Sequence, residues 1–354
     1  MLKLDFKVNR GEFSLTARLQ LANKGITALF GRSGSGKTTL LRCIAGLEKP
    51  LEGYLEFNGE IWQNTDLFMP THQRPLGYVF QEASLFPHLK VDANLLYGFK
   101  RLLPEQRKLQ PEEVINLLGI EGLLRRYPDQ LSGGQRQRVA IGRALLTSPR
   151  LLLMDEPMAS LDSTSKAEIL PFLEKLRDQL QLPIVYVSHA IEEVTRLADY
   201  LVLLDTGKVV AEGEIQSLLT DPHLPFIQTE TASTVLHAQV KKTSTDHGLT
   251  ELILGKQPLF ISQARVSTGQ QIRVRVMARD VVLALRPPRD TSLLNCLTTS
   301  ILDIQPDPNP SQALIRLEVA NQTLLARVSK RSVENLDLKE SQLVYALIKG
   351  VALH

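Results

Sequence analysis

Gly31-Arg32-Ser33-Gly34-Ser35-Gly36-Lys37-Thr38 follows directly on the apolar run Ile26-Thr27-Ala28-Leu29-Phe30. The run reads as a buried strand. Gly36 to Ala45 reads as a helix, with Leu40, Leu41 and Ile44 on one face and Gly46 as its stop. A glycine-rich turn between strand and helix frees backbone N–H groups to curl around phosphate oxygens, and the helix N-terminus adds a partial positive charge. At this spacing Lys37 reaches the outer phosphates of a nucleotide, and the Thr38 hydroxyl is suited to the accompanying Mg²⁺. The expected ATP-binding set is therefore Gly31, Arg32, Ser33, Gly34, Ser35, Gly36, Lys37, Thr38 and Thr39.

A second glycine motif lies further along. Leu131-Ser132-Gly133-Gly134-Gln135 opens the run Arg136-Gln137-Arg138-Val139-Ala140-Ile141-Gly142-Arg143-Ala144-Leu145. Ser132 stands where a helix N-cap belongs, and the two glycines expose backbone donors. The two motifs together resemble the P-loop and signature sequence of ABC-type ATPases, and the other motifs of that family are present in order. Leu151-Leu152-Leu153-Met154-Asp155 is an apolar strand ending in a carboxylate, so Asp155 is expected to hold Mg²⁺ through water. The resemblance makes Glu156 the general base that polarises the attacking water. Ser160-Leu161-Asp162 resembles the D-loop, with Asp162 facing the opposite subunit. His189, after the buried strand Ile184 to Ser188, resembles the switch histidine that bonds the γ-phosphate. Gln81, after the strand Leu76 to Phe80, resembles the Q-loop glutamine that senses Mg²⁺ and water and carries the signal toward a membrane partner.

The 354 residues suffice for two or three domains. With 43% hydrophobic and 22% charged residues the composition is that of an ordinary soluble globular protein. A net charge of +3, from 41 basic and 38 acidic residues with no dominant basic block, argues against a nucleic-acid partner. No apolar run approaches the roughly 18 residues that span a bilayer, and Met1-Leu2-Lys3-Leu4-Asp5 carries no secretory signal. Cys43 and Cys296 are expected in different domains as free thiols, which favours the cytosol. Any membrane role must come through a partner.

Residues 1–228 read as the ATPase domain, α/β with a mixed sheet. Leu2 to Leu21 alternates apolar and polar residues, as antiparallel strands do, and Phe13 in this stretch is the expected aromatic stacked on adenine. Residues 84–145 hold the helical subdomain and signature, punctuated by prolines at 104, 111 and 128 around short helical runs such as Glu112 to Leu118. Buried strands recur at 151–155, 184–188 and 200–204. Residues 221–234 read as a linker. Beyond them the pattern becomes short alternating strands: a first barrel-like segment over 229–290 and a second over 291–354. Ile272, Val274 and Val276 share a face, as do Ile315, Leu317 and Val319, with Leu314 opposite. Ala-Arg-Val-Ser at 264–267 recurs at 326–329, each time before a strand, and Ser332 to Leu338 has the makings of a short helix. These features imply two related small barrels, or two halves of one β unit, joined near Pro287-Pro288.

The whole chain resembles the ATP-binding subunits of bacterial importers that carry a C-terminal β-barrel region, OB-like in type. Within that group it is most like the ATP-binding subunits of molybdate importers. Gly77-Tyr78-Val79-Phe80-Gln81-Glu82-Ala83-Ser84-Leu85-Phe86-Pro87-His88 is similar to the Q-loop region of those proteins, and Tyr186-Val187-Ser188-His189 to their switch strand. Thr291-Ser292-Leu293-Leu294-Asn295 opens, and Tyr345-Ala346-Leu347-Ile348-Lys349 closes, a segment that resembles the small molybdate-binding (molbindin, or Mop) domain. The resemblance implies a homodimer with two ATP molecules, in which Ser132, Gly133, Gly134 and Gln135 complete the partner's site in trans. It also implies two permease subunits received near Gln81 and residues 82–100, a periplasmic oxyanion-binding protein reached through the permease, and a peripheral place on the cytoplasmic face of the inner membrane. Thr38, Gln81 and Asp155 become the Mg²⁺ set. Ser292, Ser329, Lys330 and Lys349 are the retained oxyanion residues, but Leu294 stands where the pattern has arginine and Val351 where it has a hydroxyl. A doubly charged oxyanion needs converging donors once desolvated, so weak or absent oxyanion binding is expected. Importers of tungstate, sulfate, polyamine, iron or sugar share the cassette, which never touches the cargo. A soluble ABC ATPase of translation or DNA repair is a remoter alternative, since paired cassettes or long coiled-coil insertions are missing.

Overall fold

The computed structural model describes residues 1–243, 248–262 and 266–349 together with the backbone of 352–353. The chain divides into two compact units, Met1–Gly213 and Glu214–His354. The first begins with an antiparallel pair, β1 (Leu2–Arg10) and β2 (Phe13–Leu21). The alternation anticipated there is real: Leu2, Leu4, Phe6 and Val8 face inward, opposite Leu21, Leu19, Ala17 and Leu15. Each buried Leu, Val or Phe among them contributes about 1.5–3 kcal/mol. Next come β3 (Ile26–Phe30), α1 (Lys37–Ala45), β4 (Glu52–Phe57), β5 (Glu60–Gln63) and β6 (Leu76–Val79). A helical stretch follows, with α2 (Val91–Phe99), α3 (Pro111–Leu118) and α4 (Gly133–Leu145). The unit closes with β7 (Leu151–Asp155), α5 (Ser163–Gln179), β8 (Ile184–Ser188), α6 (Ile191–Leu197), β9 (Tyr200–Asp205) and β10 (Lys208–Glu214).

Among the described residues these strands make one ten-stranded sheet in the order β5-β4-β1-β2-β10-β9-β3-β8-β7-β6. Strands β9, β3, β8, β7 and β6 run parallel. Strands β7 and β8 are buried at every position, as expected for parallel strands covered on both faces. Ligands of such sheets collect beyond the carboxyl ends of the strands. Here Phe30 pairs with Ser188, Asp155 with Val187, and Val79 with Met154, so β3, β8, β7 and β6 end level with one another.

Two buried polar side chains fix segments that flank these strands, Arg74 before the start of β6 and Asn94 beyond its end. Arg74, 3% exposed, donates from Nη1 to the carbonyls of Cys43 and Ile44 at the C-terminus of α1, and from Nε to Met69 O. A cation suits that end of a helix dipole, although burial lowers the guanidinium to about 10. Asn94, fully buried on α2, accepts from Phe86 N–H and donates to the carbonyls of Phe86, Leu89 and Lys90, which fixes the segment after Gln81.

In the second unit α7 (Ile215–Leu219) precedes β11 (Ser233–Lys242), β12 (Leu249–Leu254), β13 (Gln257–Ser262), β14 (Gln271–Met277) and β15 (Val281–Ala284). Then come β16 (Asn295–Pro306), β17 (Gln312–Val319), β18 (Gln322–Ser329), α8 (Lys330–Asn335), β19 (Leu343–Ile348) and β20 (Ala352–Leu353). By packing, the division falls before the compositional boundary near 228. Gln216 on α7 donates to Val235 O, and Ile227 is buried with Ala232, Ala278, Leu314 and Leu325. Two five-stranded sheets, β13-β12-β11-β14-β20 and β15-β19-β16-β17-β18, are found among the described residues. They share one core, in which Leu236, Val274 and Val276 meet Leu297, Ile315, Leu324 and Val344. The halves on either side of Pro287-Pro288 are interlocked: β15 pairs with β19 of the second sheet, and β20 with β14 of the first. The helix expected over 332–338 starts earlier, because the Ser329 hydroxyl caps it by accepting from Ser332 N–H. Of the recurring tetrapeptide, the first copy's Ala264 and Arg265 lie outside the described residues, as does Val351.

Candidate active site

Gly36 caps α1 at a φ of +100°, and Gly34 has a φ of +81°, left-handed angles that the tight turn needs and that glycine adopts freely. Lys37 is buried, and its ammonium points back into the turn, donating to the carbonyls of Gly31 and Arg32, each at 2.9 Å. Burial lowers its pKa, while the nearby charges of Glu156 and Asp155 pull the other way. The Ser35 hydroxyl is buried in the same turn with no protein partner. Phe13 is half-buried, and a Cβ built on Gly36 would come 3.0 Å from its ring. The aromatic therefore borders the glycine turn.

Opposite the start of α1, the Thr38 hydroxyl donates to Asp155 Oδ1 at 2.8 Å. The Tyr78 hydroxyl donates to Asp155 Oδ2 at 3.0 Å. Burial first, and then the Asp155 charge, push the Tyr78 phenol up, so it remains a donor. Sequence reasoning did not find Tyr78. Its only signal was its place on the strand leading to Gln81, one residue from a glycine. A hydroxyl and a nearly buried carboxylate at hydrogen-bonding distance form a hard oxygen pair that fits Mg²⁺ accompanying phosphate.

The next residue, Glu156, has a φ of +44°, which costs a non-glycine residue about 1–2 kcal/mol. Its N–H donates to Val187 O at 3.1 Å, and its Oε2 lies 3.0 Å from His189 Nδ1. The turn aims a carboxylate and an imidazole at each other just beyond the sheet edge. A pair so placed can take a proton from water. Gln81 is exposed one residue past Phe80, whose carbonyl accepts from Gln137 Nε2 at 3.4 Å.

The structure thus brings Phe13, residues 31–39, Asp155, Glu156 and His189 to one edge. It does not bring the signature there. Ser132 caps α4, its hydroxyl accepting from Gln135 N–H while Gln135 Oε1 accepts from Ser132 N–H. Among the described residues no hydrogen bond joins Ser132, Gly133, Gly134 or Gln135 to the glycine turn, Asp155, Glu156 or His189 of the same chain. Gly133 borders Leu161 instead. Asp162 is exposed and caps α5 through the Ser165 N–H, and hydrogen bonds from Ser165 lower its pKa. The expected oxyanion residues are not joined either. Ser329 is engaged as the cap of α8, the Lys330 N–H donates to Ser311 O, and the Lys349 N–H donates to Asp280 O. Ser292 is exposed, and Leu294 is 62% exposed.

Comparison with known proteins bears on the family and the fold. Residues 16–159 match the ABC transporter family, and residues 291–354 match the TOBE domain. The chain is 51% identical over 352 residues to the molybdenum import ATP-binding protein ModC of Hahella chejuensis, covering 99% of this chain and 98% of that one. It is 51% identical to ModC of Bordetella pertussis (98% and 95% covered) and 48% identical to ModC 1 of Azotobacter vinelandii (99% and 98%). Among solved structures, the ATP-binding cassette MJ0796, a dimer in a post-hydrolysis state with ADP and Pi, superposes with a TM-score of 0.51 and 29% identity, covering 61% of this chain and 99% of that one. CbiO1 of Clostridium perfringens, part of the transporter complex cbiONQ, gives a TM-score of 0.55 and 26% identity over 62% and 90%.

Gly36→Ala is expected to weaken ATP binding by about tenfold or more, or about 1.4 kcal/mol. The added Cβ meets Phe13 and Leu15 at 3.0 and 3.1 Å from a left-handed backbone. Fluorescent-nucleotide titration measures this, and native affinity would contradict the account of the turn.

Proposed function

The chain belongs to the family of molybdenum import ATP-binding proteins, and on that premise we propose that it is the ATP-hydrolysing subunit that powers molybdate import through a membrane ABC transporter. One observation carries the cargo assignment: about half of all positions are identical, across both units, to proteins named for molybdenum import. The relatives named for molybdenum import favour molybdate over sulfate, polyamine, iron or sugar, and tungstate shares the chemistry of molybdate.

The residue roles proposed rest on the geometry. ATP phosphates enter the glycine turn, where Lys37 exchanges its carbonyl partners for β- and γ-phosphate oxygens and the N–H groups at the start of α1 face the charge. Phe13 stacks on adenine. Thr38, Asp155 and Gln81 would hold Mg²⁺, and Tyr78 restrains the Asp155 carboxylate. When bound, the ion neutralises charge on the β- and γ-oxygens. Glu156 accepts a proton from water. The water oxygen bonds to the γ-phosphorus as the β–γ bridging bond breaks, and ADP leaves with its electron pair. His189 orients Glu156 and contacts the γ-phosphate, which the short Nδ1–Oε2 distance supports.

Since Ser132 and Gly134 lie apart from this edge in their own chain, a second copy supplies them. The solved cassette dimer supports that arrangement, and Asp162 lines the same seam. No helix among the described residues is long and apolar enough to cross a membrane. In this reading the protein is peripheral, on the cytoplasmic face of the inner membrane. Two permease subunits bind near Gln81 and the segment that Asn94 organises, and a periplasmic oxyanion-binding protein delivers cargo to them. The TOBE unit keeps Ser292, Ser329, Lys330 and Lys349 but has Leu294 and Val351, and binds oxyanion weakly.

Two measurements test this. Glu156→Gln is expected to lower phosphate release by about 10²–10⁴-fold, with ATP retained and a dimer accumulating in gel filtration; near-normal turnover would remove Glu156 from the role of base. Calorimetric titration of the full-length chain with molybdate should give no micromolar site; finding one would reject the weakened oxyanion site.

A further inference from the structure

One buried acid outside the phosphate site ties together the parts that flank it. Glu193, on the first turn of α6, is 5% exposed. Its Oε2 accepts from the Tyr186 hydroxyl at 2.9 Å and from the Ser188 hydroxyl at 2.8 Å. Its Oε1 accepts from Lys166 Nζ at 2.9 Å. Ser188 Oγ in turn accepts from the Ala190 N–H at 3.0 Å, so the residues on both sides of His189 hang from this carboxylate. Lys166 lies one turn into α5, where its N–H donates to the carbonyl of Asp162, the cap residue of that helix. A single buried carboxylate therefore bridges the strand end that carries His189 and the helix that begins at Asp162. Three charge-assisted bonds to one desolvated group form a stiff link, because losing any of them leaves a buried polar atom unpaired.

We propose that Glu193 is a positioning residue for hydrolysis: through Ser188 it holds His189 at hydrogen-bonding distance from Glu156, and through Lys166 it couples that placement to the Asp162 turn. The proposal deepens the proposed function and rests on its assignment of Glu156 and His189. Closure at the Asp162 turn then moves α5, and the Lys166–Glu193–Ser188 chain passes the displacement to the imidazole. Neither Glu193 nor Lys166 touches nucleotide in this scheme, so ATP affinity does not depend on them.

Glu193→Gln keeps an oxygen for the two hydroxyls but sets an amide against the Lys166 ammonium. Lys166→Met in the same chain removes that conflict without restoring the link. A merely structural ion pair would be rescued in the double variant; a coupling link would not. The test measures ATP affinity, melting temperature and single-turnover hydrolysis of the full-length chain. The expected result for the double variant is ATP affinity within about twofold of native, a cooperative melt still well above the assay temperature, and a single-turnover rate lowered about tenfold or more. A native single-turnover rate in the double variant overturns the proposal, as does a loss of ATP affinity that accounts for the whole loss of rate. Glu156→Gln runs as the control. Should it stay active, the underlying reading has failed; should it be inactive while the double variant turns over normally, only the role of Glu193 has failed.

Discussion

The hydrogen-bonded register of four parallel strands is the constraint on which the chemistry depends. Phe30 beside Ser188, Asp155 beside Val187 and Val79 beside Met154 force four chain segments to leave the sheet at one level. Each delivers a different group: the glycine turn with Lys37 and Thr38, the carboxylates Asp155 and Glu156, the imidazole of His189, and the exposed amide of Gln81. A slip of one residue in any pair would turn every side chain of that strand to the other face. A slip of β7 would also part the nearly buried Asp155 carboxylate from the Thr38 and Tyr78 hydroxyls and leave it without donors. Stability and catalysis are thus served by the same ladder.

The edge so built gathers Lys37, Thr38, Asp155, Glu156 and His189, and the signature is not joined to it within the same chain. The signature serine is already committed as a helix cap, in a part of the fold that borders Leu161. A site completed only across a twofold interface converts nucleotide binding into association, and cleavage into release. The buried bridge at Glu193 joins the strand end that carries His189 to the helix that starts after Asp162.

Much of this was legible in the sequence because local chemistry and spacing agree. The strand before Gly31, the alternation in Leu2 to Leu21, the stop at Gly46 and the carboxylate after Leu151 to Met154 each have one inexpensive structural solution. What escaped reading depends on distant packing. Tyr78 looks like any strand aromatic until Asp155, 77 residues later, is placed beside it. Glu193 resembles the ordinary acid of a helix first turn, and only the fold buries it among Tyr186, Ser188 and Lys166. Arg74 has no motif at all; it matters because α1 ends against it. In the second unit the strand pattern was readable, but the exchange of β15 and β20 between sheets was not, since alternation fixes faces and not neighbours. The oxyanion residues were chosen by likeness to a pattern, and no hydrogen bond among the described residues gathers them.

The central claim is that each copy completes the other's nucleotide site, and the most direct measurement is complementation between two damaged chains. Chains carrying Glu156→Gln are made with either Lys37→Ala or Ser132→Arg, mixed with labelled ATP, and resolved by gel filtration. The account predicts that neither chain alone forms an ATP-retaining dimer, whereas the mixture does, because an intact glycine turn on one copy then meets an intact signature on the other. If the mixture retains no more ATP than the separate chains, or if the Ser132→Arg chain traps ATP unaided, the shared site is contradicted.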